Sequence, residues 1–172
     1  MADKIYNVLF LCTSNSARSL IAEKLIQRLG QGRFRGFSAG SEPSGEVHPM
    51  TIEVLEHNNF ITEDLRSKSW EEFSGDEAPE MDFVFTVCND IIRKQEPEWK
   101  GKPMSAHWGI EDPAQVEGDH LTVKTEFHKI YRELHSRVSI FVNLPLTSLN
   151  TLKLQEELDA IGGNSTQSEE VA

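Results

Sequence analysis

The most informative segment of this sequence is Cys12-Thr13-Ser14-Asn15-Ser16-Ala17-Arg18-Ser19. It follows the apolar run Val8-Leu9-Phe10-Leu11 and precedes residues 20–29, where leucine and isoleucine recur at roughly helical spacing. This pattern predicts a buried strand, a tight loop of small residues and the start of a helix. Asn15 suits the loop because asparagine adopts positive φ more readily than most residues.

A loop of small residues that opens a helix is suited to binding anions. Its backbone N–H groups have no partners inside the helix and point towards one place, which the positive end of the helix dipole also favours. The guanidinium of Arg18 can grip two oxygens of a tetrahedral oxyanion. Cys12 lies on the opposite side of this anion site, where the same groups and a hydrogen bond from Ser19 would favour its thiolate. We therefore predict a nucleophilic cysteine with a lowered pKa beside an oxyanion site.

Composition limits the classes of function. The 172 residues fit a single domain, and a net charge of −11 with a pI near 5.0 disfavours nucleic acid or an anionic membrane as a partner. A small anion remains compatible, because local N–H groups and Arg18 can outweigh a distant negative surface. We find no signal peptide pattern and no apolar run long enough to cross a bilayer, and so expect a cytoplasmic protein.

The use of cysteine and histidine predicts no metal site. Cys12 and Cys88 lie far apart in the sequence and form no CxxC motif, unlike the disulfide framework of a small secreted protein. The six histidines show no metal-ligand spacing, and those in the helical pattern, His128 and His135, are best explained as solvated side chains. We therefore expect neither a structural nor a catalytic metal.

The rest of the sequence alternates strand and helix patterns. Strand patterns cover residues 5–11, 34–39, 81–88 and 104–108. Helix patterns cover 16–29 and 49–57, begin again at Ser69, recur near 91–94, and then cover 123–141 and 152–163. The alternation predicts an α/β fold with a doubly wound parallel sheet, helices on both faces and a ligand site at the carboxyl ends of the strands. We expect one domain over residues 1–162 and a polar, disordered tail over 163–172.

A carboxylate is needed to complete the chemistry of a cysteine nucleophile. Thiolate attack on a tetrahedral oxyanion requires a proton donor for the departing oxygen. Asp112 is the first candidate, because it follows the last strand pattern and Pro113 restricts its backbone. Glu111 and Asp119 are alternatives, and any single carboxylate in so acidic a loop is more often simply solvated.

Cys88 also follows a strand pattern, and two interpretations are open for it. It is either a small buried side chain or a second thiol. In the second case it would attack Cys12 once that residue carries an oxyanion adduct, forming a disulfide and releasing a reduced product. A disulfide requires the two Cα atoms to approach within about 7 Å.

Several segments together resemble the low-molecular-weight protein tyrosine phosphatase fold family and, within it, the arsenate reductases. The loop with its preceding strand and Ala22-Glu23 is common to the whole family. Later segments resemble the reductase branch in order and spacing: Ser38-Ala39-Gly40-Ser41, Arg66-Ser67-Lys68-Ser69-Trp70, Met81-Asp82-Phe83-Val84-Phe85-Thr86-Val87-Cys88, Ala106-His107-Trp108-Gly109 with Asp112-Pro113, and Leu144-Pro145-Leu146. The resemblance spans about Ile5 to Gly162, and the combination is far more specific than any single motif.

The resemblance implies a four-stranded parallel sheet in flavodoxin-like order and a set of catalytic roles. Cys12 is the implied nucleophile, Thr13-Ser14-Asn15-Ser16-Ala17-Arg18 the oxyanion-binding residues, Ser19 the support of the thiolate, Asp112 the general acid and Cys88 the resolving cysteine. The implied reaction is attack of Cys12 on arsenate, loss of hydroxide assisted by Asp112, and thiol attack on the arseno-cysteine to release arsenite.

The source of electrons is where this chain departs from part of that family. Thioredoxin-coupled reductases usually carry a third cysteine shortly after the resolving one, and residues 89–97 contain none. An external protein thiol such as thioredoxin would then reduce a Cys12–Cys88 disulfide directly. Alternatively, glutathione or a similar small thiol would attack the adduct, followed by reduction of glutaredoxin type. No bound cofactor is implied.

Two other functions compete with arsenate reduction. A phosphatase acting on tyrosine phosphate or a small phosphoester would use Cys12, Arg18 and Asp112 unchanged, with water hydrolysing the phospho-cysteine and Cys88 idle. A noncatalytic domain that senses an oxyanion would need neither Cys12 nor Asp112 as reactive groups. The presence of Cys88 favours the reductase over the phosphatase, and the presence of both Cys12 and Asp112 disfavours the sensor.

Overall fold

Four short strands form one parallel sheet. The computed structural model describes residues 4–88 and 96–171, with side chains described as far as residue 163. The strands are β1 (Tyr6–Cys12), β2 (Phe34–Gly40), β3 (Phe83–Thr86) and β4 (Met104–His107). Their order in the sheet is β2-β1-β3-β4, and every neighbouring pair is parallel. This confirms the predicted flavodoxin-like order.

The register brings the carboxyl ends of the strands to one edge. Cys12 at the end of β1 lies opposite Gly40 at the end of β2. Leu11 lies opposite Thr86 of β3, which in turn lies opposite His107 of β4. The residues that follow each strand, where we predicted the site, therefore start from the same edge of the sheet.

Among the described residues, four α-helices and two short 3-10 turns connect and follow the strands. They are α1 (Arg18–Leu29), α2 (Pro49–His57), α3 (His120–Val142) and α4 (Thr151–Val171), with 3-10 turns at Trp70–Phe73 and Pro113–Gln115. Helix α2 has the predicted bounds, since Pro49 occupies its first turn and the ring of His48 accepts a hydrogen bond from the backbone of Met50. The helix predicted near 91–94 lies outside the described residues. No helix among the described residues is both long and apolar enough to span a membrane.

An aromatic cluster fills one face of the sheet, where α1 and α3 also pack. The rings of Phe85 and Trp108 stack with centroids 3.9 Å apart, and Phe141 of α3 meets both edge-on. On β2, Ser38 points towards this face, where its hydroxyl donates a hydrogen bond to Glu23 of α1. The adjacent Phe37 points to the other face, where it packs on Phe73 of the first 3-10 turn. Helical segments thus cover both faces, as expected for a doubly wound sheet.

Helix α4 differs from the expectation that it ends at residues 162–163. A Cβ atom at Gly162 would collide with the carbonyl oxygen of His107 and lie 2.8 Å from the ring of Trp108. The Trp108 indole also donates a hydrogen bond to the carbonyl of Leu158, 3.0 Å away. Gly162 therefore lets α4 approach β4 closely and does not terminate the helix, which continues to Val171. The domain limits and the disordered tail at 163–172 stay predictions.

Candidate active site

The loop between β1 and α1 is built around two local features. Asn15 has a φ of 49°, in the left-handed region predicted for it. Gly40 ends the neighbouring strand, and a Cβ atom there would collide with the carbonyl oxygen of Thr13 and lie 3.0 Å from the backbone nitrogen of Asn15. The loop can cross the end of β2 only because residue 40 has no side chain.

The carbonyl groups of the loop are tied to its surroundings by residues far away in the sequence. The backbone N–H groups of Glu42 and Ser44 donate to the carbonyls of Thr13 and Ser14, at 2.9 and 3.1 Å. Further donors to the loop carbonyls are Ser41, His48, Thr51 and Ser67. Because a peptide plane directs its N–H opposite to its carbonyl, these bonds turn N–H groups of the loop inward, where an anion would bind.

The sulfur of Cys12 has two hydrogen-bond partners. The backbone N–H of Asn15 donates to Sγ at 3.2 Å, and the hydroxyl of Ser19 lies 2.9 Å from it. The side-chain amide of Asn15 also donates to Ser19 Oγ, at 2.7 Å. Since Ser19 accepts this bond, its own proton can be directed at the sulfur. Both contacts would stabilise a thiolate on Cys12.

The pKa of Cys12 is nevertheless shifted upward, whereas the sequence predicted a downward shift. Burial raises the pKa of the thiol, while the hydrogen bond from Ser19 and the charge of Arg18 act to lower it and Cys88 adds to the increase. Cys12 is only 1% exposed. The sequence shows which groups favour the thiolate, but it does not show how completely the sulfur is removed from water. That loss of hydration outweighs the groups that favour the thiolate.

Arg18 connects the loop to Asp112. One guanidinium nitrogen donates to the carbonyl oxygen of Ile110 at 2.8 Å, and the other lies 3.5 Å from Asp112 Oδ2. The carboxylate of Asp112 also accepts a hydrogen bond from the backbone N–H of Ala114, at 3.0 Å. This bond caps the start of the second 3-10 turn. These contacts hold Asp112 at the same side of the loop as the predicted oxyanion ligand Arg18.

The two alternative carboxylates are placed differently. Asp119 caps helix α3 by accepting a hydrogen bond from the backbone of Thr122 at 2.8 Å, and its pKa is lowered mainly by that bond. Glu111 is exposed. Of the three carboxylates considered from sequence, the structure thus pairs Asp112 with Arg18 and engages Asp119 elsewhere. The role of general acid stays a prediction.

The second cysteine lies against the same loop. Cys88 is fully buried, and its Sγ is 3.7 Å from the hydroxyl oxygen of Thr13, the residue that follows Cys12. Both cysteines are free thiols. The structure therefore brings Cys12, Arg18, Asp112 and Cys88 together around residues 13–17, although they are spread over most of the sequence.

A buried ionic cluster behind the loop was not anticipated from the sequence. The ammonium of Lys68 donates to the hydroxyl of Ser38 at 3.2 Å and lies 3.7 Å from a carboxylate oxygen of Glu23. Burial raises the pKa of Glu23 and lowers that of Lys68. The only sequence signal was that all three residues fall within the segments that carry the family resemblance. Among the described residues, no group of three or more histidine, cysteine, aspartate or glutamate side chains is arranged to hold a metal ion.

Comparison with known proteins agrees with this arrangement. A sequence profile of the family described as low molecular weight phosphotyrosine protein phosphatase matches residues 7–157. An arsenate reductase of Oceanobacillus iheyensis is 30% identical over 141 residues, covering 82% of this chain and 96% of the relative. A glutaredoxin arsenate reductase of Synechocystis sp. is 31% identical over 131 residues, covering 76% and 92%. A solved structure of an arsenate reductase in the phosphate-binding state superposes with a TM-score of 0.63 at 27% identity, covering 80% of this chain and 97% of that one.

Proposed function

The chain belongs to the low molecular weight phosphotyrosine protein phosphatase family, and we propose that within this family it is an arsenate reductase. The observation that carries this proposal is the position of Cys88, whose Sγ lies 3.7 Å from Thr13 in the oxyanion loop. Hydrolysis of a phosphoester does not need a second thiol beside the nucleophile. Reduction of arsenate consumes two thiols, because it takes two electrons, and Cys88 is placed to supply the second of them.

In the first step Cys12 attacks arsenate held by the N–H groups of the loop and by Arg18. The proton of the Cys12 thiol passes to the arsenate dianion as the substrate binds, and the Ser19 hydroxyl and the N–H of Asn15 hold the resulting thiolate. The Sγ–As bond forms while one As–O bond breaks. The oxygen leaves as water after it takes a proton from Asp112, which lies beside Arg18. The product is an arseno-cysteine on Cys12.

In the second step Cys88 attacks Sγ of the arseno-cysteine. The S–S bond forms, the S–As bond breaks and its electron pair stays on arsenic, which changes from pentavalent to trivalent. The proton of Cys88 goes to an arsenite oxygen, and arsenite leaves. Cys12 and Cys88 are then oxidised to a disulfide, which accounts for both electrons.

An external thiol must restore the reduced enzyme, because each turnover leaves Cys12 and Cys88 oxidised. The chain has no third cysteine to take over that disulfide, so the external thiol acts on these two residues. The name of the Synechocystis relative, a glutaredoxin arsenate reductase, supports a glutathione and glutaredoxin system as the donor. Thioredoxin acting directly on the disulfide is the alternative. We propose a cytoplasmic location, because the proposed reaction consumes thiol reductant and a reducing compartment supplies it.

A phosphatase is the second candidate function. It is favoured by the family to which the chain belongs and by the contact between Arg18 and Asp112, which would serve the hydrolysis of a phospho-cysteine equally well. In that case Cys88 would only fill space at the end of β3.

The deciding experiment measures arsenite production from arsenate by the purified protein. Parallel reactions contain thioredoxin with its reductase, or glutathione with glutaredoxin, and a separate assay follows aryl phosphate hydrolysis. We expect arsenite with at least one donor, none with Cys12→Ser, and loss of reduction but not of hydrolysis with Cys88→Ser. Hydrolysis without any arsenite would favour the phosphatase, and undiminished reduction by Cys88→Ser would show that Cys88 is not the resolving thiol.

A further inference from the structure

Three polar side chains are buried together near the oxyanion loop and contact one another. Glu23 of α1 and Lys68 are 9% and 8% exposed, and Ser38 of β2 is fully buried between them. Glutamate and lysine are rarely buried at this depth, and their mutual attraction only partly offsets the loss of hydration. A group that is costly to bury calls for an explanation beyond packing.

Lys68 is fixed at both its side chain and its backbone. The ammonium donates to Ser38 Oγ at 3.2 Å and to the carbonyl of Arg66 at 3.1 Å, and Ser38 donates in turn to Glu23 at 3.0 Å. The backbone carbonyl of Lys68 accepts from Gly40 at 2.9 Å, next to the loop crossing. The position of Lys68 is therefore set relative to both α1 and the end of β2.

The backbone of Lys68 begins a continuous path of hydrogen bonds that ends at the nucleophile. Its N–H donates to Asn15 Oδ1 at 2.9 Å. The amide of Asn15 donates to Ser19 Oγ at 2.7 Å, and Ser19 Oγ lies 2.9 Å from Cys12 Sγ. The orientation of the Asn15 amide, and with it that of the Ser19 hydroxyl, thus depends on where Lys68 is held.

We propose that Lys68 is a positioning residue for Cys12: its buried ammonium, held by Glu23 and Ser38, fixes the side chain of Asn15 and thereby directs the Ser19 hydroxyl at the sulfur. This inference rests on the proposed function only in taking Cys12 as the nucleophile. The hydrogen bonds to Cys12 Sγ come from Ser19 and Asn15, so Lys68 acts on the sulfur through these two residues.

The charges around the cluster indicate how it would respond to loss of the ammonium. The charged groups that interact electrostatically with Lys68 are Glu23, Arg66 and Glu72. Glu23 also interacts with Lys24 and Asp64. Burial already raises the pKa of Glu23, so without its partner this carboxyl would take up a proton rather than remain as a bare buried charge. A Lys68→Met chain can then fold with a neutral Glu23 and a loosened Asn15.

Lys24 supplies a matched control. It is a second buried lysine, on α1 itself and 6% exposed. Its ammonium bonds to Asp64 at 2.6 Å and reaches the loop through none of the hydrogen bonds described above. Lys24→Met removes the same charge from the same region without touching Asn15. Any effect of Lys68→Met that Lys24→Met does not share is therefore not a general effect of charge.

The test is a titration of the Cys12 thiolate by its ultraviolet absorbance, in a Cys88→Ser background that leaves a single cysteine. We expect Lys68→Met to raise the pKa of Cys12 by about one unit, a tenfold loss of thiolate below that pKa, and Lys24→Met to leave it unchanged. With Cys88 restored, Lys68→Met should lower kcat for arsenate roughly tenfold and leave KM unchanged, since Arg18 keeps its contacts.

Equal Cys12 titration in Lys68→Met and the parent, or equal shifts in Lys68→Met and Lys24→Met, would overturn the proposal. If Lys68→Met does not fold, Ser38→Ala replaces it. That variant removes a hydrogen bond of the ammonium without changing any charge, and a rise in the pKa of Cys12 supports the proposal while no change overturns it. Because the titration needs no arsenate, a parent chain without reductase activity would refute the proposed function and leave this comparison valid.

Discussion

The thiol of Cys12 is subject to opposing influences at the scale of a single residue. Burial raises its pKa, and the hydroxyl of Ser19 is the largest of the influences that lower it. Ser19→Ala should therefore raise the pKa by about a further unit, since a hydrogen bond to a charged group is lost. The measurement is the rate of alkylation of Cys12 against pH in the Cys88→Ser background, and the Ser19→Ala profile should move to higher pH.

The pH at which the alkylation rate stops increasing also tests whether the pKa of Cys12 is raised or lowered. A raised pKa means that the alkylation rate of the ligand-free chain keeps increasing well into the alkaline range. A rate that is already maximal at neutral pH would show instead that the loop lowers the pKa, as the sequence alone suggested.

Asp112 and Asp119 form a natural pair for testing the general acid. Asp112→Asn should lower kcat for arsenate by about 10²- to 10⁴-fold, because the departing oxygen no longer receives a proton. Asp119→Asn should leave kcat unchanged, since asparagine caps a helix as well as aspartate does and Asp119 is engaged by Thr122. Steady-state kinetics of both variants decides between them, and equal losses would remove Asp112 from its proposed role.

The individual residues show what sequence could and could not predict about the site. Cys12 was predictable because it directly follows a strand pattern, and Asp112 because it lies in the loop after one, since strand ends share one edge of a parallel sheet. Lys68 was not, because nothing local marks it as buried. Its importance depends on Asn15, which lies more than fifty positions away and meets it only in the folded chain.

At the scale of elements, the contact between α4 and β4 depends on one missing side chain. Gly162→Ala would place a methyl group against the carbonyl of His107 and the ring of Trp108, and should lower the free energy of unfolding by about 1–3 kcal/mol. At Gly163 a Cβ atom would meet nothing within 4 Å. Gly163→Ala should therefore be neutral or stabilise by about 0.5–1 kcal/mol through helix propensity.

Urea unfolding of the two variants distinguishes a packing role from a helix stop. If both substitutions stabilised the chain equally, Gly162 would have no packing role. The same pair explains why the end of α4 was misjudged from the sequence. The low helix propensity of a glycine pair predicts that the helix stops there. Gly162 is instead needed for the close contact between α4 and β4, and helix propensity carries no information about such a contact.

At the scale of the whole molecule, the buried Glu23 should make the free energy of unfolding depend on pH. Its pKa is raised above 4.5 in the folded chain, mainly by burial, so the folded chain holds this proton more tightly than the unfolded chain. Its contribution to stability is full below 4.5 and is lost as the pH rises through the folded-state pKa. The free energy of unfolding of the parent, relative to Glu23→Gln, should therefore fall from acid to neutral pH.

Glu72 gives the opposite sign and so serves as the control. Its pKa is lowered below 4.5 by its hydrogen bond with Arg66, and its contribution is present above 4.5 and lost as the pH falls. Relative to Glu72→Gln, the parent should gain a little stability towards neutral pH, an effect that salt weakens because the pair is exposed. Chemical unfolding across this pH range should give slopes of opposite sign, and parallel slopes would contradict the assignment for Glu23.

The two buried thiols beside the loop also set an electron stoichiometry. Cys12 and Cys88 together hold the two electrons that one arsenate requires, and the chain has no further cysteine in which to store more. A prereduced chain without a donor should thus behave as a titrant, delivering one equivalent of arsenite in a burst and then stopping. In the cell, the supply of the reduced carrier, rather than the concentration of arsenate, would set the flux once the substrate site is full.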